Sequence, residues 1–177
     1  MSTAARPLAE MLTNTGVTVA ELSHSRPVML IFLRHFGCTF CREALADLAA
    51  RRADIEARGT QLVFVHMSPD DVAERYFARY DLPGVLHVSD PTCRFYRAFG
   101  LVKGNFRQLF GLQSWIRGFE AGVVNGHGVG TRQLGDGFQM PGVFVIQDAE
   151  VRESFIHQLA SDRPDYTALS QCCALPS

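Results

Sequence analysis

The chain has 177 residues, of which 47% are hydrophobic and 20% charged, and its formal net charge is −1. This profile is typical of a globular domain with one core, and it excludes the broad basic surface that binds nucleic acid or anionic lipid. The first residues, "MSTAARPLAEML", lack the apolar core of a signal peptide, and no apolar run approaches the roughly 18 residues of a membrane helix. We therefore expect a single cytoplasmic domain over residues 1–177 that binds neither nucleic acid nor membrane.

The first hundred residues or so predict strands that alternate with helices. "PLAEMLTN" is helical in character, and the apolar run "PVMLIFL" is typical of a strand buried on both faces. "CREALADLAARRADIEAR" predicts a helix that ends at Gly59, and "TQLVFVHM" predicts the next strand. A helix through "DDVAERYFARY" follows, with Ser68 or Pro69 at its N-cap, and then a short strand "GVLHVSD" and a helix in "PTCRFYRAFG".

The rest of the chain predicts an insert and a hairpin. Residues 101–139 show no strand pattern, and because compact domains rarely contain structureless loops of this length, we expect a helical insert with a glycine-rich loop. "GVFVIQD" and "VRESFIHQL", separated by Ala149 and Glu150, predict an antiparallel hairpin at the sheet edge, which a helix from about Asp165 to Cys172 would cover.

Strands alternating with helices predict an α/β domain with a largely parallel central sheet.

Five cysteines, an odd number, argue against the disulfide framework of a secreted protein. Cys38 and Cys41 form a C-x-x-C motif between the first buried strand and the helix that follows it. The free N–H groups and the positive dipole end at a helix N-terminus favour the thiolate form of a cysteine. We therefore expect Cys38 to be the attacking thiol. Cys41, about one turn further along and expected to be less exposed, would be the resolving thiol.

Two other interpretations of the cysteine pair stay open. Cysteines also serve as small buried apolar residues, and the domain would then be a non-catalytic binding module with the insert as its contact surface. A zinc site is the other, but zinc needs about four ligands, and the candidates show no second paired spacing. These candidates are His35, His66, Cys172 and Cys173. The interpretation that we favour, redox chemistry, needs no metal and no cofactor.

Met140 and Pro141 directly precede the strand "GVFVI". Proline cannot donate to a sheet ladder, so it occurs at an edge or at the first residue of a strand. Pro141 is either an ordinary loop proline or part of a cis Met140–Pro141 peptide that faces the cysteine pair. The cis form would leave neighbouring backbone groups free to pair with a substrate chain.

Together these features resemble the thioredoxin fold over roughly residues 25–170. Within that superfamily the chain is similar to the peroxiredoxin-like branch related to alkyl hydroperoxide reductase C and thiol-specific antioxidant proteins. "FLRHFGCTFCRE" matches the segment of the peroxidatic cysteine, and the stretch before "QLGDGFQMPGVFVI" resembles the insert of the C-x-x-C subgroup. The resemblance implies a mixed central sheet flanked by helices, with a helical insert before the cis-proline strand.

The resemblance also implies a reaction. A peroxide would oxidise Cys38 to a sulfenic acid, and Cys41 would condense with it to form an intramolecular disulfide. An external thiol of the thioredoxin or glutathione type would reduce that disulfide, and a disulfide substrate is the alternative to a peroxide. We assign substrate contacts to His35, Gly37, Met140 and Pro141.

Two positions depart from the pattern of typical peroxiredoxins. The threonine three residues before their peroxidatic cysteine is His35 here. They also have an arginine just before the strand that here begins after Pro141, where this chain has Gln139 and Met140. Both missing groups orient and polarise peroxide in that family. Arg34 or Arg42 could supply the missing cation. His35 could help to deprotonate the attacking thiol, or could be a polar residue that ends a strand.

Other residues receive ordinary packing roles. Phe110, Trp115 and Phe119 in the insert are expected in the core or in the interface of a homodimer. Cys93 is expected to pack on a helix face. Cys172 and Cys173 lie near a terminus that is expected to fray, where one of them could form a mixed disulfide.

Overall fold

The structure is a computed structural model that describes residues 5–104, 136–159 and 161–171. Within these ranges the elements in chain order are α1 (Ala5–Glu10), α2 (Val19–Ser25), β1 (Val28–Phe32), α3 (Thr39–Ala57), β2 (Gln61–His66), α4 (Asp70–Arg79), β3 (Leu86–Ser89), α5 (Arg94–Ala98), β4 (Gly142–Gln147), β5 (Glu150–Ile156) and α6 (Tyr166–Gln171).

The five strands form one sheet in the order β3-β2-β1-β4-β5. Strands β1, β2 and β3 are parallel, whereas β4 is antiparallel to β1 and to β5. The predicted hairpin is confirmed, but its turn is one residue earlier than predicted, at Asp148 and Ala149, which both have positive φ. All five residues of the central strand β1 are buried, which explains why its sequence is continuously apolar. A mixed sheet flanked by helices confirms the predicted fold class.

Each face of the sheet carries its own hydrophobic core. Alternate residues of β1 point to opposite faces, so Met29 packs with residues of α3 and α4, whereas Leu30 packs with residues of α1 and α5. Tyr166 of α6 belongs to the first of these cores, and α6 packs against α3. The expectation that α6 covers the sheet edge is therefore wrong, because its apolar side is used against α3 and most of β5 stays exposed.

The predicted helix ends are largely confirmed. Gly59 follows α3 with φ +88°, and Pro69 is the N-cap of α4. Helix α2 lies in a region without a clear hydrophobic pattern, but the sequence at its start is T-x-x-E. The hydroxyl of Thr18 accepts from the N–H of Glu21 at 3.2 Å, and the N–H of Thr18 donates to the carboxylate of Glu21 at 2.8 Å. This is a capping box, a device that starts helices.

The prediction of a cis Met140–Pro141 peptide is wrong, since every peptide bond between described residues is trans. The N–H of Met140 donates to the carbonyl of Val102 at 3.3 Å, and β4 begins directly after the proline. Pro141 thus precedes the first paired residue of the strand, where its missing N–H costs no ladder bond. The trans form, which X-Pro bonds favour by about 0.5–1 kcal/mol, satisfies this path.

Most of the predicted insert lies outside the described residues, including Phe110, Trp115 and Phe119. Its two ends are described and they meet: Lys103 and Gln139 form an isolated antiparallel bridge, and Nζ of Lys103 lies 2.6 Å from Oδ2 of Asp136. Cys172 and Cys173 also lie outside the described residues. Among the helices of residues 5–104, 136–159 and 161–171, none combines the length and the hydropathy needed to cross a bilayer.

Candidate active site

The C-x-x-C motif lies in the connection from β1 to α3. After β1 ends, the N–H of Leu33 donates to the carbonyl of Val65 at 2.9 Å, which extends the parallel pairing by one residue. The chain then turns, and the N–H of Cys38 donates to the carbonyl of His35 at 3.0 Å. Cys38 is the N-cap residue of α3, with φ −80° and ψ 131°. The predicted junction of strand and helix is confirmed.

Tyr96 holds the start of this connection. Its hydroxyl lies 2.6 Å from the carbonyl of Leu33 and 3.0 Å from that of Val65, and its proton is shared between these two acceptors. The ring comes from α5, whose first turn is capped by the buried carboxylate of Asp90, which accepts from the N–H of Phe95 at 2.7 Å. The carboxylate therefore fixes the helix that carries the tyrosine, and the tyrosine fixes the strand end beside the cysteines.

Arg34 joins the cysteine segment to the segment before β4. Its side chain is buried, and its Nε donates to the carbonyl of Gln139 at 3.1 Å. Its Nη2 donates to the carbonyl of Gly137, and its Nη1 donates to Sγ of Cys38 at 3.1 Å. No carboxylate in the described part of the chain forms an ion pair with Arg34. The guanidinium therefore places a buried positive charge beside the Cys38 sulfur.

Cys41 has a different partner. Its Sγ donates to the carbonyl of Arg34 at 3.8 Å. Burial raises the pKa of Cys41 well above its ordinary value, and the neighbouring Cys38 adds to this effect, while Arg34 and Arg42 oppose it. Cys41 therefore stays a protonated thiol. The exposed fractions, 1% for Cys38 and 4% for Cys41, contradict the expectation that Cys41 is the less exposed of the two. The two sulfurs therefore differ in their hydrogen-bond partners and hardly differ in their burial.

His35 is buried beside this pair. Burial, with a contribution from Arg34 and against an opposing one from Asp136, lowers the pKa of His35 to about 4. The imidazole is neutral at pH 7 and is a weak base there, which disfavours a role in deprotonating Cys38. Its Nε2 is buried and has no hydrogen-bond partner among the described residues, and it faces Gly137.

The other predicted contact residues lie around the same connection. Gly37 is buried in the turn before Cys38, and Met140 packs in the same core as both cysteines. Pro141 lines a cavity together with Arg34 and Cys41, and Cys38 is not one of its lining residues. The carbonyls of Gly137 and Gln139, which orient the guanidinium, were not predicted, because every residue has a carbonyl and no side chain signals its use.

The described residues offer no zinc site at the cysteine pair. The one described group of three ligand side chains, His66, Asp70 and His87, includes neither Cys38 nor Cys41. The other two candidate cysteines, Cys172 and Cys173, lie outside the described residues.

Comparisons with known proteins identify relatives of this chain. Residues 47–158, more than half of the chain, match the family described as AhpC/TSA antioxidant enzyme, and the match starts after the cysteine pair. Thioredoxin-like protein AAED1, chloroplastic, of Arabidopsis thaliana is 26% identical over 172 residues, which cover 92% of this chain and 68% of that protein. Prostamide/prostaglandin F synthase of Salmo salar is 31% identical over 70 residues, which cover 40% of this chain but 34% of that protein.

A solved structure shows the same fold. The crystal structure of reduced Prx3 in complex with H₂O₂ from Vibrio vulnificus matches with a TM-score of 0.62 and 17% identity, covering 92% of this chain and 90% of that one. At this level of identity the likeness establishes the fold alone. The family match and the fold agree with each other, and the chain belongs to the AhpC/TSA antioxidant enzyme family, with a peroxiredoxin-like thioredoxin fold.

Proposed function

We propose that the chain is a thiol-dependent oxidoreductase that reduces peroxides, with Cys38 as the nucleophile and Cys41 as the resolving thiol. The observation that carries this proposal is the contact of 3.1 Å between Nη1 of Arg34 and Sγ of Cys38. It places a buried positive charge on one sulfur of the pair, while the other sulfur remains a thiol that donates to a backbone carbonyl. The two cysteines are thus prepared for different steps of one reaction.

The reaction proceeds in three balanced steps. The Cys38 thiolate attacks a peroxide oxygen, the O–O bond breaks, and the leaving alkoxide or hydroxide takes a proton to give an alcohol or water. The Cys41 thiol then condenses with the sulfenic acid, forming an S–S bond and releasing water. Two external thiols reduce this disulfide by exchange and are themselves oxidised to a disulfide.

Arg34 supplies a cation beside the Cys38 sulfur in a chain that lacks the arginine of typical peroxiredoxins before β4. The side chain comes from the cysteine segment, and its orientation is set by two carbonyls of residues 137–139. A preorganised guanidinium stabilises both the attacking thiolate and the negative charge that develops on the peroxide oxygens. His35, Gly37, Met140 and Pro141 remain the proposed substrate contacts.

The partners follow from this chemistry. The external reductant is a thioredoxin-type or glutathione-type thiol, and a disulfide is the alternative substrate, since the same thiolate attacks either bond. Such a cycle suits a reducing compartment, and we propose the cytoplasm, although the Arabidopsis thaliana relative is named as chloroplastic. We also propose that the chain forms a homodimer.

The proposed roles are tested with three cysteine variants of the full chain. Peroxide consumption driven by dithiothreitol is expected to vanish in Cys38→Ser. Cys41→Ser is expected to undergo one oxidation at Cys38, which a sulfenic-acid trapping reagent and peptide mass mapping would locate. Cys93→Ser is the matched control, because Cys93 is also buried but lies before α5 and has no part in the proposed reaction.

The outcomes separate the proposal from a non-catalytic binding module. Turnover that survives in Cys38→Ser would refute the assignment of the nucleophile. A wild-type protein whose Cys38 and Cys41 both stay reduced after one equivalent of peroxide would instead support the binding module. Mass mapping of the wild type also shows whether Cys172 or Cys173 enters a disulfide.

A further inference from the structure

Three side chains from three elements meet at one point away from the cysteine pair. His66 is the last residue of β2, His87 lies in the adjacent strand β3, and Asp70 is the first residue of α4. We propose that these three residues bind a divalent transition-metal ion of the zinc type. The site is independent of the proposed redox function and shares no ligand with it.

The distances between the three ligand atoms suit one ion. Nε2 of His66 lies 2.9 Å from Nδ1 of His87, and Oδ1 of Asp70 lies 3.6 Å from Nδ1 of His87 and 3.9 Å from Nε2 of His66. Zinc binds histidine nitrogen at about 2.0–2.1 Å and carboxylate oxygen at about 2.0–2.2 Å in tetrahedral sites. Tetrahedral ligand atoms at those bond lengths are about 3.3–3.5 Å apart. The observed triangle needs adjustments of up to about half an ångström.

Burial gives the site an apolar floor and an open side. The side chains of His66 and His87 are 0% and 1% exposed, whereas Asp70 is 58% exposed. An ion can therefore reach the two ring nitrogens past the carboxylate. The two facing ring nitrogens lie at the buried end of the site. The Asp70 carboxylate supplies negative charge.

A second carboxylate supports His87 from its other side. Oε1 of Glu74, one helical turn after Asp70, lies 3.8 Å from Nε2 of His87. Histidines that bind metals usually donate their other ring N–H to a carboxylate or a carbonyl, which fixes the tautomer. A proton on Nε2 of His87 leaves Nδ1 free to face the ion. Glu74 is therefore a positioning residue and is not counted as a ligand.

The two facing nitrogens of the histidine pair already lie close enough to share one partner. Nε2 of His66 and Nδ1 of His87 are 2.9 Å apart, so one of them carries a proton that the other accepts. An ion between Nε2 of His66 and Nδ1 of His87 would bind both facing nitrogens at once. It would also displace the proton between them, which can then move to Nδ1 of His66.

The site is tested by titrating the untagged, reduced full-length protein with Zn²⁺ and, for spectroscopy, with Co²⁺. We expect one equivalent of each ion to bind. We also expect the Co²⁺ spectrum to show ligand-field bands and to lack a thiolate charge-transfer band. Binding is expected to persist in Cys38→Ser/Cys41→Ser, to weaken at least 100-fold in His87→Gln, and to weaken about 10-fold in Asp70→Asn. Glu74→Gln is expected to weaken binding by about 10- to 100-fold.

His24→Gln is the matched control. His24 is exposed on α2 and pairs with Asp148 at 3.6 Å, so its loss is expected to leave Zn²⁺ binding unchanged. Circular dichroism shows whether His87→Gln is folded. If it is not, Asp70→Asn still tests the site, because the Asp70 side chain is largely exposed. Binding that is lost in the double cysteine variant, or that is unchanged in both His87→Gln and Asp70→Asn, would overturn the proposal. Failure of the wild type to bind either ion would overturn it as well.

Discussion

Arg34 carries a positive charge at a position that is 2% exposed, and it contacts both cysteines of the motif. Its guanidinium donates to the sulfur of Cys38, and its backbone carbonyl accepts from the sulfur of Cys41. One residue therefore contacts both sulfurs, one through its side chain and the other through its backbone. The sequence placed Arg34 among two candidate cations, and the structure places its guanidinium on the Cys38 sulfur.

Replacing Arg34 by lysine tests the side-chain contact. Arg34→Lys keeps the charge but cannot reproduce the fixed fork that reaches two carbonyls and one sulfur together. A hydrogen bond to a charged group contributes about 1.5–3 kcal/mol, so we expect Cys38 to react with iodoacetamide about 10- to 100-fold more slowly. Peptide mass mapping measures the rate at each cysteine. If Arg42→Lys causes this loss and Arg34→Lys does not, Arg42 is the activating cation.

His35 makes stability depend on pH, because its pKa is about 4 in the folded protein and its ordinary value is 6.5. The unfolded chain binds a proton in this window that the folded protein does not. His35 therefore makes its full contribution to the free energy of unfolding above pH 6.5. This contribution, on the order of 3 kcal/mol, is lost as the pH falls from 6.5 towards 4. Urea unfolding at a series of pH values measures the slope. We expect His35→Asn to make the slope shallower by the His35 contribution, whereas the same slope in His35→Asn and the wild type would contradict the assignment. His24→Asn is the exposed control.

Among the elements, helix α2 begins with a capping box, whose sequence is T-x-x-E. Thr18 and Glu21 satisfy each other's backbone N–H groups at the start of the helix. Helix α2 in turn contributes Val19 to the core that also contains Tyr96, the residue that holds the strand end beside the cysteines. The cap therefore supports the face of the sheet opposite to α3.

Removing the cap hydroxyl measures its contribution. Thr18→Ala is expected to lower the free energy of unfolding by about 1 kcal/mol, because one N–H of the first turn loses its acceptor. Chemical denaturation followed by circular dichroism provides the value. Ser25→Ala, at the last residue of the same helix, is the control and is expected to change stability little. Equal effects of the two substitutions would show that the capping box contributes nothing specific.

For the whole molecule, the sequence predicted the strands and helices that have strong local signals. The continuous apolar run of β1, the glycine after α3 and the two-residue turn of the hairpin each determine local structure without help from distant residues. The fold class follows from their order along the chain. The site was predicted in part for the same reason, since a C-x-x-C motif between a buried strand and a helix is a local pattern.

The remaining features depend on contacts between distant parts of the chain. Gln139 orients the guanidinium of Arg34 with its carbonyl, and these two residues are 105 positions apart. His66 and His87 are 21 positions apart and meet because β2 and β3 pair in parallel. The trans Met140–Pro141 peptide before β4 likewise depends on the pairing of residues 101–104 with residues 136–140, which no local pattern reveals.

The contact between Arg34 and Cys38 has a consequence for the reduction potential of the pair. On the proposed function, a disulfide between Cys38 and Cys41 would take the attacking thiolate away from the buried guanidinium. The reduced form would then be stabilised relative to the oxidised form, as in disulfides that are strong oxidants. Such a disulfide would give up its bond readily to an incoming thiol. One buried arginine would thus serve both the attack on the substrate and the regeneration of the thiols.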